Sequence, residues 1–163
     1  MIRVLDLTTN TKAVILRAQP RSIFQPRVSP DGRWITFLVK ADETDSRIYA
    51  APFRGTESIP SSEWIQLTKG DSGDDKPRLT ADRRRLFFTS VADGHRCIWV
   101  QEVNQETLRP IGSAKPFHHF HSARRSLARV FENLQEIAIG GDRLIFNMAE
   151  TTGNLWLLRP ERH

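Results

Sequence analysis

Three imidazoles crowd the stretch FHHFH, at His118, His119 and His121. Clustered imidazoles are the side chains that hold zinc or copper. In an extended chain alternate residues share a side, so His119 and His121 would act together and His118 would point away. Neither a carboxylate nor a cysteine stands beside them in the sequence. The expectation is one structural histidine with the others solvated, no native metal site and no cofactor.

Other stretches that could carry chemistry fail on composition or order. The GDSG at residues 70–73 matches the nucleophile loop of chymotrypsin-like proteases, where a histidine and then an aspartate come earlier in the chain. All five histidines, from His95 onward, follow Ser72. As a calcium loop, Asp71, Asp74 and Asp75 lack the EF-hand spacing and its closing glutamate. The single cysteine, Cys97, excludes an internal disulfide and is expected as a buried, inert thiol. No phosphate-cradling glycine loop is present. The chain is therefore expected to have no catalytic residues.

The net charge of +5 is carried mainly by arginine, in local clusters at Arg83, Arg84 and Arg85 and at Arg124, Arg125 and Arg129. No aromatic platform interleaves with them, so a solvated face is expected rather than a nucleic-acid surface. The loops around Arg83, Arg84 and Arg85, and around His119, His121, Arg124 and Arg125, are the candidate places for a ligand or partner. There is no run of eighteen apolar residues, hence no membrane span. The amino terminus has no apolar signal core, which makes cytoplasmic placement the default and extracytoplasmic placement the expectation for a piece of a larger protein.

The elements that must position these residues come from a repeat. PRVSPDGRWITF begins at Pro26 and PRLTADRRRLFF at Pro77, 51 positions later. Each is followed by a polar turn and a second short strand signal, RIYAAPF at residues 47–53 and RCIWVQEV at 96–103. A fourth segment closes each unit, WIQLT at 64–68 and TLRPIG at 107–112. Runs rich in β-branched and aromatic residues, bounded by Gly, Pro, Asp and Ser, are strands, so each unit is expected as four antiparallel strands. A fainter copy has NLQEIAI (133–139), GGDRLIF (140–146) and GNLWLL (153–158). IRVLDL (2–7) and KAVILRA (12–18) supply two strands ahead of the first full unit. Residues 122–134 are the best helix candidate, with Leu127, Val130, Phe131 and Leu134 on one face; the other reading is a connector or an irregular strand pair between the second and third units. An aromatic recurs at Tyr49, Trp99 and Trp156, which suits packing between units.

The pattern PRVSPDGRWITF…RIYAAPF…IQLT resembles the WD40-like repeat of TolB-type β-propellers. There SPDG is the tight turn between the first two strands of a blade, here Ser29, Pro30, Asp31 and Gly32. Proline presets φ, aspartate bonds the local backbone and glycine supplies a positive φ. The second copy departs from this: Arg83 stands where glycine should be and must adopt a left-handed φ or another turn. The C-terminal stretch resembles the closing blade of bacterial propellers that sit behind a kinase or winged-helix regulator.

The resemblance implies an all-β chain of about three four-stranded blades, partitioned as 1–24, 25–68, 69–112 and 113–163. It implies a non-enzymatic module that recognises a protein, a peptide or a small ligand at the channel mouth. The alternatives are the propeller part of a hydrolase, either a prolyl-oligopeptidase-like gate or a lactonase-like metal site, or a fragment without its own function. Three blades leave open apolar faces, so a homodimer closing a six-bladed ring is expected if the chain is not part of a larger propeller.

Overall fold

The computed structural model describes residues 1–42, 45–70, 72–122 and 124–153. The fold is all-β and antiparallel throughout. Strands β1 (Ile2–Asp6) and β2 (Thr11–Leu16) form a hairpin. Four strands follow as a sheet in chain order: β3 (Ser22–Val28), β4 (Trp34–Lys40), β5 (Ser46–Pro52) and β6 (Ile65–Gln66). A second sheet repeats this with β7 (Asp75–Leu79), β8 (Arg85–Ser90), β9 (Cys97–Val103) and β10 (Pro110–His118). Beyond it β11 (Arg125–Ser126) pairs with β14 (Ala149–Glu150), and β12 (Ile137–Gly140) with β13 (Arg143–Phe146). Among the described residues no helix is long and apolar enough to cross a membrane.

The layers follow from strand alternation. Successive side chains of a strand point to opposite faces. In WITFLVK, Ile35, Phe37 and Val39 pack with Ile15 and Leu16 of the β1–β2 hairpin, while Leu38 joins the next layer with Leu86 and Phe88 of the second sheet. In RLFFTS, Leu86 and Phe88 face the first sheet, and Phe87 turns the other way, onto Leu127 and Ile137. Both full sheets are thus covered on both sides, which is why their second strands are nearly continuous apolar runs. Phe37 is fully buried, with Trp64 edge-on to its ring at 4.9 Å. Burying such a side chain contributes about 1.5–3 kcal/mol over leaving it exposed.

The repeat is faithful at the level of single hydrogen bonds. In the first turn the Gly32 N–H donates to the Ser29 carbonyl at 2.8 Å, the Ser29 hydroxyl to Asp31 Oδ1 at 2.6 Å, and the Arg33 N–H to the same Oδ1 at 3.2 Å. In the second turn the Arg83 N–H donates to the Thr80 carbonyl at 2.9 Å, the Thr80 hydroxyl to Asp82 Oδ1 at 2.5 Å, and the Arg84 N–H to that Oδ1 at 3.1 Å. Gly32 has φ +70° and Arg83 φ +55°, so arginine takes the left-handed position that glycine fills in the first copy. Its guanidinium Nε reaches back 3.3 Å to Asp31 Oδ2, tying the two turns together. The first strands match too: Gln25 (φ +51°) and Lys76 (φ +54°) each sit at a bulge, 51 residues apart.

One expectation changes. The fourth strand of the second sheet is Pro110–His118, not residues 107–112. Asn104 Oδ1 accepts the Glu106 and Thr107 N–H groups and the Thr107 hydroxyl, and Leu108 is buried at φ +53°, so residues 104–108 form a turn and the strand starts later. Of the readings of residues 122–134 the structure takes the connector: its described residues hold β11 and one 3-10 turn, Leu127–Arg129, capped by the Ser126 hydroxyl. Only Leu127 of its apolar face is buried; Phe131 and Leu134 are exposed. The expected strand at 153–158 and Trp156 lie outside the described residues apart from Gly153.

Candidate binding cleft and histidine cluster

The outer edges of the two full sheets flank a cleft of about 460 Å³. One wall is the chain leaving β6, Gln66 to Lys69; the other is Pro110, Gly112, Ser113 and Ala114 of β10, with Phe88 and Trp99 also lining it. The walls are held by local bonds. Gln101 Nε2 donates to the Ile111 carbonyl at 3.2 Å and the Glu102 carbonyl at 2.8 Å, at the irregular register between Ile111 and Lys115. Thr68 Oγ1 accepts the Ile48 N–H at 3.1 Å, and the Ser90 hydroxyl donates to the Ser72 carbonyl at 3.1 Å. The Trp99 indole N–H is shielded from solvent and has no acceptor among the described residues. Sequence inspection did not find this cleft, because its walls are edges of different units.

The histidines meet partners the sequence did not place beside them. Phe120 is buried against Phe146, with ring centroids 5.3 Å apart. Chain alternation about this anchor sends His119 and His121 the other way together. They meet the β8–β9 turn, where the Gly94 N–H donates to the Val91 carbonyl and the His95 N–H to Asp93 Oδ1 at 3.2 Å. Asp93 Oδ2 is left facing His119 Nδ1 at 2.7 Å and His121 Nε2 at 2.9 Å, and those two nitrogens are 3.2 Å apart. Beneath them lies buried Cys97, whose Sγ accepts the Phe120 N–H at 3.3 Å. One donor atom from each of Asp93, Cys97, His119 and His121 lies within 4.8 Å of the others. His95 stacks on His121 at 4.2 Å.

The electrostatics are those of an anionic carboxylate over a protonated thiol. Partial burial pushes Asp93 up, but hydrogen bonds with His121, the His95 N–H and His119 outweigh it and hold the carboxyl at about 2. Burial raises the Cys97 thiol; the Phe120 N–H opposes this and the Asp93 charge adds to it. A thiol so placed is a poor nucleophile. His118 stays apart, its ring tilted over Phe120 at 4.6 Å.

The arginines do not converge on one pocket. Arg83 is engaged with Asp31, and the Arg85 guanidinium lies 5.8 Å over the Phe87 ring. Arg84 is on the exposed turn. Arg124 and Arg125 both pair with Glu150, at 2.7 and 3.2 Å. Ser29, Pro30, Asp31 and Gly32 form the first turn; the Ser29 hydroxyl, then the Arg33 N–H and Arg83, hold Asp31 below its ordinary value. In the first strand of the second sheet buried Asp75 accepts from Gln25 Nε2 at 2.6 Å and lies 3.7 Å from the Lys76 ammonium. Burial raises its carboxyl against the pull of Lys76. No family model matches this chain, and no curated protein matches it.

Proposed function

We propose that the two full sheets are successive blades of a TolB-like propeller and that the chain is a non-enzymatic binding module. The blade reading is supported by the same strand order in both sheets, the repeated turn and the repeated bulge. Its corollary is the two-fold closure of a ring, for which a dimer mass by sedimentation is the expected result and a stable monomer the contrary one.

The carrying observation for binding is the cleft between the sheet edges. Its size falls in the usual range for ligand sites, and an apolar floor with a few polar groups at the rim is the usual composition. The occupant this favours is an extended peptide. The nine-residue edge strand β10 offers backbone on its outer side, the mode by which peptides add to a sheet. An apolar side chain reaching over β10 would rest on Trp99 of the neighbouring strand, with hydroxyl and amide groups along the walls. The Cys97 thiol is poorly placed for catalysis: it is buried, and burial raises it above its ordinary value.

The test is selection from a random peptide library on the folded chain, followed by amide and indole chemical-shift mapping. Shifts gathered at Thr68, Trp99 and Ser113 support the reading. Shifts confined to the arginine turns, or failure to select any peptide, refute it.

A further inference from the structure

We infer that Asp93, Cys97, His119 and His121 form a zinc site, with Oδ2, Sγ, Nδ1 and Nε2 as the four ligand atoms. The argument begins with convergence. Three donor atoms, the carboxylate oxygen and two imidazole nitrogens, stand 2.7, 2.9 and 3.2 Å from one another. Zinc bonds to nitrogen and oxygen of about 2.0–2.1 Å give a tetrahedral face with edges of about 3.3 Å. The triangle is therefore close to the required face, and small side-chain movements open it. The Cys97 sulfur completes the set, with all four atoms within 4.8 Å.

The chemistry of the set narrows the ion. One thiolate, two imidazoles and one carboxylate are a borderline-soft combination that suits zinc, whereas magnesium and calcium prefer oxygen alone. Four protein ligands leave no open position, so the site is of the structural kind. Its surroundings are already arranged. The His95 N–H holds Asp93 Oδ1 and leaves Oδ2 for the ion, and the Phe120 N–H donates to Cys97 Sγ, as an outer partner of a metal thiolate does. Binding converts the Cys97 thiol to thiolate and releases its proton to solvent, with no change of oxidation state. The ion would clasp the β8–β9 turn to the chain leaving β10.

The experiment uses the whole chain, stripped by chelation and then titrated with zinc chloride and, separately, cobalt chloride. Expected are one zinc per chain, proton release, a melting temperature that rises with free zinc, and a tetrahedral cobalt spectrum with a thiolate charge-transfer band. His121→Ala should weaken zinc by more than about a hundredfold, beyond the usual effect of an outer-shell partner, and Cys97→Ser should abolish the charge-transfer band. His118→Ala, outside the cluster, should leave affinity unchanged. Because Cys97 is buried and its variant could misfold, the exposed pair His119→Ala/His121→Ala, checked for fold by circular dichroism, serves as the second arm. Failure to take up one equivalent overturns the site. So does uptake that survives in the double variant, or a wild-type cobalt spectrum without the thiolate band.

Discussion

Replacing Arg83 by glycine is a sharp test of the repeated turn, because it sets two opposing effects against each other. At φ +55° a side chain with a Cβ carries about 1–2 kcal/mol of left-handed strain, and Arg83→Gly relieves it. Two costs oppose the gain. Glycine has more freedom to lose on folding, about 0.5–1 kcal/mol. The ion pair to Asp31, Nε to Oδ2 at 3.3 Å with the side chains 14% and 30% exposed, is lost at about 0.2–1 kcal/mol. The net change is predicted within about 0.5 kcal/mol of zero. Arg83→Ala keeps the strain and loses the pair, so it should destabilise by roughly 0.5 kcal/mol. Gly32→Ala, at φ +70° with open space around its Cβ position, introduces the strain afresh and should cost about 1 kcal/mol. Urea unfolding with the m-value monitored reads all three. A loss above about 1.5 kcal/mol for Arg83→Gly would refute the equivalence of the two turns, since the ion pair would then outweigh the backbone.

Three further outcomes follow from the same structure. Ala81→Pro, which copies Pro30 into the second turn, should stabilise by about 0.4–1 kcal/mol in the same urea assay. Phe37→Ala opens a hole between the β1–β2 hairpin and the first sheet and should cost about 3–5 kcal/mol by thermal or urea melting. For Asp93, the folded carboxyl at about 2 lies below its ordinary value, so its contribution is present above about pH 4 and is lost as pH falls toward 2. Asp93→Asn should therefore narrow the stability difference between pH 6 and pH 2, within about 1 kcal/mol given the solvent around the cluster; an unchanged acid limb contradicts the carboxylate–histidine contacts.

The repeat was legible because its signals are local. Ser29 and Thr80, Asp31 and Asp82, and Gly32 and Arg83 do the same work in their own turns, and β4 and β8 announce themselves by continuous apolar runs. The end of the second unit was misplaced because Asn104 bonds three neighbouring groups, a side-chain geometry that strand propensity does not register. The histidine cluster was half legible. Alternation about Phe120 paired His119 with His121, but Asp93 and Cys97 lie more than twenty residues earlier, and only the β8–β9 hairpin brings them under the imidazoles. The cleft was not legible, since residues 66–69 and 110–114 face each other only after the two sheets stack.

The peptide cleft between the two full sheets is the central claim, and one titration tests it most directly. A peptide selected on the wild-type chain is titrated against Ser113→Trp, which places an indole from the exposed rim of β10 into the cleft, and against Arg84→Glu on the β7–β8 turn, outside the cleft lining. The account predicts affinity lowered at least about tenfold, or 1.4 kcal/mol, by Ser113→Trp and unchanged by Arg84→Glu. Equal affinity for the blocked chain, or a loss confined to Arg84→Glu, would contradict it.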